Sequence, residues 1–235
     1  MATYKHLFFD LDHTLWDFER NSTMALEQIW KSGLSKHLEH VPFAHFMDSY
    51  TEVNEHWWGL YRKEQVSKEE LRVGRFADSM KRFGLVDYAL ADQVATSYLE
   101  LGPYMKHLHE GAIDLLQDLQ EKDFQMHIIT NGFEEVQHIK LRESGLRNFF
   151  KEIITSEAAG AKKPNPSIFH FAMQKSGAVM RESLMIGDSL GSDILGAQGV
   201  GMDQVFFNPK AEIHDVDPTY EIQRLSEIRG ILGMG

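Results

Sequence analysis

Apolar and polar positions follow two different rhythms along this chain. Residues 4–10, YKHLFFD, form a short apolar run of strand length. From about Asp17 to Leu101 the pattern is helical throughout. There Ser67-Lys68-Glu69-Glu70 has the form of a capping box, and Gly33 and Gly84 are placed to close helices. Beyond Pro103 helices and strands alternate. The pattern predicts a helix over 111–122, strand QMHIIT (125–130), a helix over 133–144, strand EIIT (152–155), a helix over 166–176, strand SLMIGD (183–188), a short helix over 193–198 and strand DQVFF (203–207). Such alternation argues an α/β fold with a parallel sheet covered on both faces. The first strand belongs to that sheet, so residues 1–16 with 102–235 are expected to form an α/β core and residues 17–101 an all-helical insertion.

In open parallel sheets ligands bind outside the carboxyl ends of the strands, and three of these strands end in polar signals: FFDLD, IITNG and LMIGDS. A fourth, AKKPNP (161–166), opens the helix after EIIT. Asp10 and Asp12 lie two apart at the end of an extended run, so both carboxylates aim at one spot, which is costly unless a cation sits between them. Asp10 suits attack on phosphorus and metal binding; Asp12 can protonate a leaving oxygen and later deprotonate water. Thr130 and Asn131 precede a helix, whose N-terminus attracts anions. Lys162 or Lys163, if turned inward, could neutralise a phosphoryl group. Asp188, with Asp193 five residues on, would complete an oxygen-rich Mg²⁺ site. Each signal alone also reads as an ordinary turn, cap or solvated surface; four after four strands do not.

Composition narrows the partners. The 235 residues are 43% hydrophobic and 25% charged, with a formal charge of -11. That charge argues against a nucleic-acid backbone or an anionic membrane as partner. A small anionic substrate stays compatible with it, because a divalent cation and one lysine reverse the field locally. No cysteine is present, which excludes disulfides, a thiol nucleophile and thiolate metal sites. Without an apolar run of membrane-spanning length, and with the first strand opening almost at once, the expected location is cytoplasmic. The twelve histidines show no paired spacing that suggests zinc.

FFDLDHT, IITNG, KKP and GDSLGSD, in that order, resemble the four motifs of the haloacid dehalogenase superfamily of hydrolases. The resemblance implies a Rossmann-like core with a helical cap and an aspartyl-phosphate mechanism. Asp10 would be the nucleophile and Asp12 the general acid and base, while Thr130 and Asn131 would bind phosphate. Lys163, directly before proline, would be the charge-neutralising lysine. Mg²⁺ would be held by the Asp10 side chain, the Asp12 carbonyl and Asp188, with Asp193 acting directly or through water. Members that displace halide have no alkoxide to protonate and generally lack an acid two residues after the nucleophile, so Asp12 favours phosphoryl transfer to water.

The cap selects the leaving group in this superfamily. ITNGF, DLDHTLWDF and LRVGRF (71–76) resemble its pyrimidine nucleotidase branch, implying a nucleoside 5′-monophosphate as substrate. A monomer or weak homo-oligomer is the expected working form. A sugar-phosphate phosphatase or mutase would use the same motifs. A phospho-accepting signalling module shares the acidic strand ends but is normally about half this length. Trp57, Trp58, Tyr61 and Arg75 are candidate substrate-reading groups, although aromatics at helical spacing more often form a core.

Overall fold

The computed structural model describes residues 4–234. They divide into two units: Glu19–Met105, and the residues up to Phe18 together with those from Lys106 onward.

The helical unit is built on α1 (Phe18–Ser32), α2 (Phe43–Arg62), α3 (Lys68–Lys81) and α4 (Tyr88–Leu101). The capping box opens α3: Ser67 Oγ accepts from Glu70 N at 3.1 Å, and Glu70 Oε2 accepts from Ser67 N at 2.8 Å. After α3, Gly84 takes the left-handed conformation at φ 79°, which costs glycine least. Leu26, Phe46, Tyr50, Phe76, Met80 and Ala95 form the interior. Three candidate substrate readers are used in this packing. Trp57 Nε1 donates to Asp78 at 3.0 Å, and Tyr61 is buried. Arg75 is buried, donates to Asn54 Oδ1 at 2.9 Å and lies over the rings of Phe76 and Tyr98. Trp58 packs edge-on to Tyr61.

The other unit holds a six-stranded sheet among the described residues: β1 (His6–Phe9), β2 (Gln125–Thr130), β3 (Glu152–Thr155), β4 (Ser183–Gly187), β5 (Asp203–Phe207) and β6 (Tyr220–Ile222). Their order is β3-β2-β1-β4-β5-β6 and every pairing is parallel. β1 is therefore central, and its Leu7, Phe8 and Phe9 are wholly buried, as two-sided coverage requires. Each such side chain contributes roughly 1.5–3 kcal/mol. The surrounding helices are α5 (Ala112–Glu121), α6 (Glu134–Glu143), α7 (Ser156–Ala159), α8 (Pro166–Ser176), α9 (Leu195–Gly199) and α10 (Ile228–Ile231).

Two details differ from the sequence expectation. The segment expected as a helix over 193–198 starts as a π-turn, Leu190–Ile194, and becomes α-helical only at α9. The edge strand β6 was not expected, because three residues are too few to show a period. No helix among the described residues is long and apolar enough to cross a membrane.

Candidate active site

The chain crosses from β1 to both of its neighbours, so the carboxyl ends of β2, β1 and β4 meet at the switch point where such sheets bind ligands. Asp10 follows β1 and is tied to β4, its N–H donating to Ile186 O at 2.9 Å. Asp188 follows β4. The loop after Asp10 turns back sharply: Leu15 and Trp16 both donate to Leu11 O, and His13 adopts a left-handed φ of 66°. Trp16, bridged to Leu108, anchors that loop.

Lys163 stands at the centre. It is 2% exposed, and its ammonium donates to Asp10 Oδ1 at 2.6 Å and to Ile129 O at 2.7 Å while pairing with Asp193 Oδ1 at 2.7 Å. Of the two adjacent lysines the buried one is Lys163; Lys162 is half-buried. Asn131 fixes this lysine from behind. Its side-chain carbonyl accepts from Lys163 N at 2.8 Å, and its amide donates to Lys163 O at 2.9 Å. The Asn131 side chain is thus engaged by the backbone of the lysine segment. Thr130, at the end of β2, accepts from Gly132 N at 3.0 Å and donates to Gln137 Oε1 at 3.1 Å.

Asp10, Asp188 and Asp193 each offer an oxygen within 4.8 Å of the others'. Burial pushes the Asp10 carboxyl well above its ordinary range; Lys163 opposes this, and Asp193 and Asp188 add to it. Burial, and then Asp193, push Asp188 up to about 7, against the hydrogen bond that Thr14 Oγ1 donates to it at 2.8 Å. Burial disfavours the Lys163 ammonium, but Asp10 and Asp193 outweigh it and raise its pKa above the ordinary lysine value. Three crowded carboxylates facing one ammonium leave excess negative charge, and hard oxygen donors at this spacing suit a divalent cation. Asp193 serves the site from within: Oδ1 meets Lys163, and Oδ2 accepts from Ser189 N at 3.0 Å. Gly187 makes room for it, since a Cβ there would come within 2.2 Å of Asp193 Oδ2.

Asp12 is held by two residues that the motifs do not contain. Gln137 Nε2 donates to its Oδ2 at 3.0 Å, and Lys140 Nζ to its Oδ1 at 2.5 Å. Both lie on the buried face of α6 with Leu141. A core-facing stripe carrying Gln and Lys where apolar residues belong was the available sequence signal.

The geometry thus brings Asp10, Lys163, Asp188 and Asp193 into one cluster, with Thr14 on Asp188, Asn131 behind the lysine, and Thr130 joined to Asp12 through Gln137. Known proteins resemble this chain along nearly its whole length. The HAD-hydrolase YfnB of Bacillus subtilis strain 168 is 34% identical over 239 aligned positions, covering 100% of this chain and 97% of that protein. Its magnesium-bound crystal structure superposes with a TM-score of 0.88, covering 98% of this chain and 99% of that one. The pyrimidine 5′-nucleotidase PynA of Streptococcus pneumoniae is 33% identical across 96% of this chain and 93% of that protein. The pyrimidine 5′-nucleotidase YjjG of Escherichia coli K12 is 29% identical across 96% of each. The model of the haloacid dehalogenase-like hydrolases matches residues 4–201, and the chain belongs to that family.

Proposed function

We propose that this hydrolase is a Mg²⁺-dependent phosphatase that cleaves small phosphate monoesters through an aspartyl phosphate on Asp10, with pyrimidine nucleoside 5′-monophosphates as its substrate class. The observation that carries the chemistry is the buried Lys163 ammonium shared by Asp10 and Asp193 beside Asp188. It sets a carboxylate nucleophile next to positive charge, as displacement at an anionic phosphorus requires. The substrate class rests on the likeness to PynA and YjjG.

In the first step an Asp10 oxygen attacks phosphorus, the ester P–O bond breaks, and Asp12 gives its proton to the departing alkoxide. In the second, Asp12 takes a proton from water as the water oxygen attacks the phosphoenzyme, freeing the Asp10 carboxylate and inorganic phosphate. Lys163 supports the phosphoryl charge, Thr130 and the main chain at Asn131 bind its oxygens, and the helical unit serves as the cap that reads the leaving group. Mg²⁺ held by Asp10, the Asp12 carbonyl and Asp188, with Asp193 in support, would supply further positive charge against the phosphoryl oxygens.

The test is phosphate release with Mg²⁺ from a panel of nucleoside monophosphates and sugar phosphates, run with Asp10→Asn in parallel. Turnover on pyrimidine monophosphates at least about 10-fold above the rest, and lost by about 10³-fold or more in Asp10→Asn, is expected. Turnover confined to sugar phosphates would discard the substrate class. A stable phosphoprotein without turnover would discard the hydrolase mechanism in favour of a phospho-accepting module.

A further inference from the structure

The motifs account for Asp10, Asp12, Thr130, Lys163 and Asp188, yet they leave unexplained why a lysine and a glutamine sit on the inward face of α6. Lys140 is only 5% exposed and Gln137 only 1%. Burying an ammonium without compensation is expensive, so its partners disclose its purpose. They are the Asp12 carboxylate at 2.5 Å and the face of the Trp16 ring, whose centroid lies 4.0 Å from Nζ, with the Phe18 ring centroid at 5.5 Å. Trp16 is wholly buried and tied into the motif loop, so Lys140 is gripped from the same loop that carries Asp12.

Gln137 closes the arrangement from the other side. Its amide donates to Asp12 Oδ2 at 3.0 Å, while its carbonyl accepts the Thr130 hydroxyl at 3.1 Å. One amide therefore joins the residue after β1 to the residue ending β2. Gly132 is what lets it through: a Cβ at that position would come within 2.2 Å of Gln137 Nε2 and 2.5 Å of its Cδ. The glycine of IITNG thus serves the passage of a side chain five residues further on.

We propose that Lys140 and Gln137 are positioning residues that fix the Asp12 carboxylate for proton transfer to the leaving group, and that Gly132 is the space through which Gln137 reaches it. Each oxygen of Asp12 receives its own donor, one from each residue, so the carboxylate is held against rotation about both of its side-chain torsions. The inference rests on the phosphatase reading above, because the proton it serves is the one that an ester leaving group needs.

The experiment uses leaving groups of different basicity. An alkyl phosphate needs the proton in the first step; 4-nitrophenyl phosphate, whose leaving phenolate is already stable, hardly does. Lys140→Met is expected to slow phosphoenzyme formation from a nucleoside monophosphate or another alkyl ester by about 10²-fold. Formation from 4-nitrophenyl phosphate should change by less than about 3-fold, with phosphoenzyme accumulating in acid-quenched samples because Asp12 also serves the second step. Lys140→Arg should recover part of the loss. Equal losses on both esters would show a merely structural contact and overturn the proposal, as would unchanged or faster alkyl-ester cleavage. If Lys140→Met fails to fold, Gln137→Leu must show the same split between the two esters, and its absence there overturns the proposal equally. A wild-type protein inactive on both esters would instead be a failure of the phosphatase reading.

Discussion

The two ends of the central sheet bury polar groups in opposite ways. At the carboxyl ends of β1 and β4, Asp10, Asp188, Asp193 and Lys163 form a cluster in which charges are held at close range. Toward the amino ends, His6 at the start of β1 and His127 inside β2 stack with ring centroids 5.4 Å apart, with His6 Nδ1 and His127 Nε2 at 3.2 Å. Burial drives the His127 pKa down to about 4, with His6 and Lys151 adding to the effect, and burial lowers that of His6 as well. Both shifts favour neutral rings, and because His127 Nδ1 has no hydrogen-bond partner among the described residues, the simplest arrangement has His127 Nε2–H donating to His6 Nδ1. The amino end settles its polar groups by discarding charge. The carboxyl end retains charge and leaves two carboxyls raised above their ordinary range. One sheet thus carries a quiet end that favours stability and a strained end available for chemistry.

Removing the cation that Asp10 and Asp193 share should have the largest effect. Lys163→Met leaves three crowded carboxylates uncompensated and is expected to cost about 3–5 kcal/mol in metal-free denaturant melts, partly recovered by millimolar Mg²⁺. Equal stability with and without the lysine would refute the charge balance drawn here. Gly187→Ala comes next. Its added methyl collides with the Asp193 carboxylate, so Asp193 must leave Lys163 and the Ser189 N–H, at a cost of about 2 kcal/mol together with weakened Mg²⁺ binding by calorimetry. Full retention of both would mean that Asp193 is not the residue that crowds the glycine.

At the quiet end the effect is comparable in size but appears only as pH falls. Because the folded-state pKa of His127 lies below its unfolded value, the unfolded chain takes up the proton first as pH falls from about 6.5 to 4. Stability is therefore lost across that window, on the order of 2 kcal/mol, and His6 adds in the same direction. His127→Phe should flatten that slope in thermal melts taken between pH 4 and 7, with turnover at pH 7 unchanged within about twofold. An unchanged slope would place the acid sensitivity elsewhere.

Much of the fold was legible because its signals are local. The capping box at Ser67 is a four-residue pattern, and β4 is a five-residue strand centred on Leu184, Met185 and Ile186 and buried along its whole length. The edge strand β6 and the π-turn at Leu190–Ile194 were not legible, since the first is too short for a period and the second depends on how Asp193 folds back onto Ser189. Among the site residues, Asp10 and Asp188 announce themselves as acids ending apolar strands. Gln137 and Lys140 leave only the faint trace of polar residues on a core-facing stripe, and a lysine in the last turn of a helix reads more readily as a solvated partner of the helix dipole.

What the chain order alone carries is the set of strand ends and the chemistry stationed at each, because the period of a strand and the residue that ends it are properties of neighbouring positions. What required the tertiary structure is every pairing across the sheet. Lys163 meets Asp10 over 153 positions of sequence, Gln137 and Lys140 meet Asp12 over 125 and 128, and Thr14 meets Asp188 over 174. The lysine before proline was singled out by the family pattern, but that it turns inward, and which polar residues of α6 are buried, follow from where β1 lies between β2 and β4. That placement fixes where buried charge must find its partner, and no local pattern encodes it.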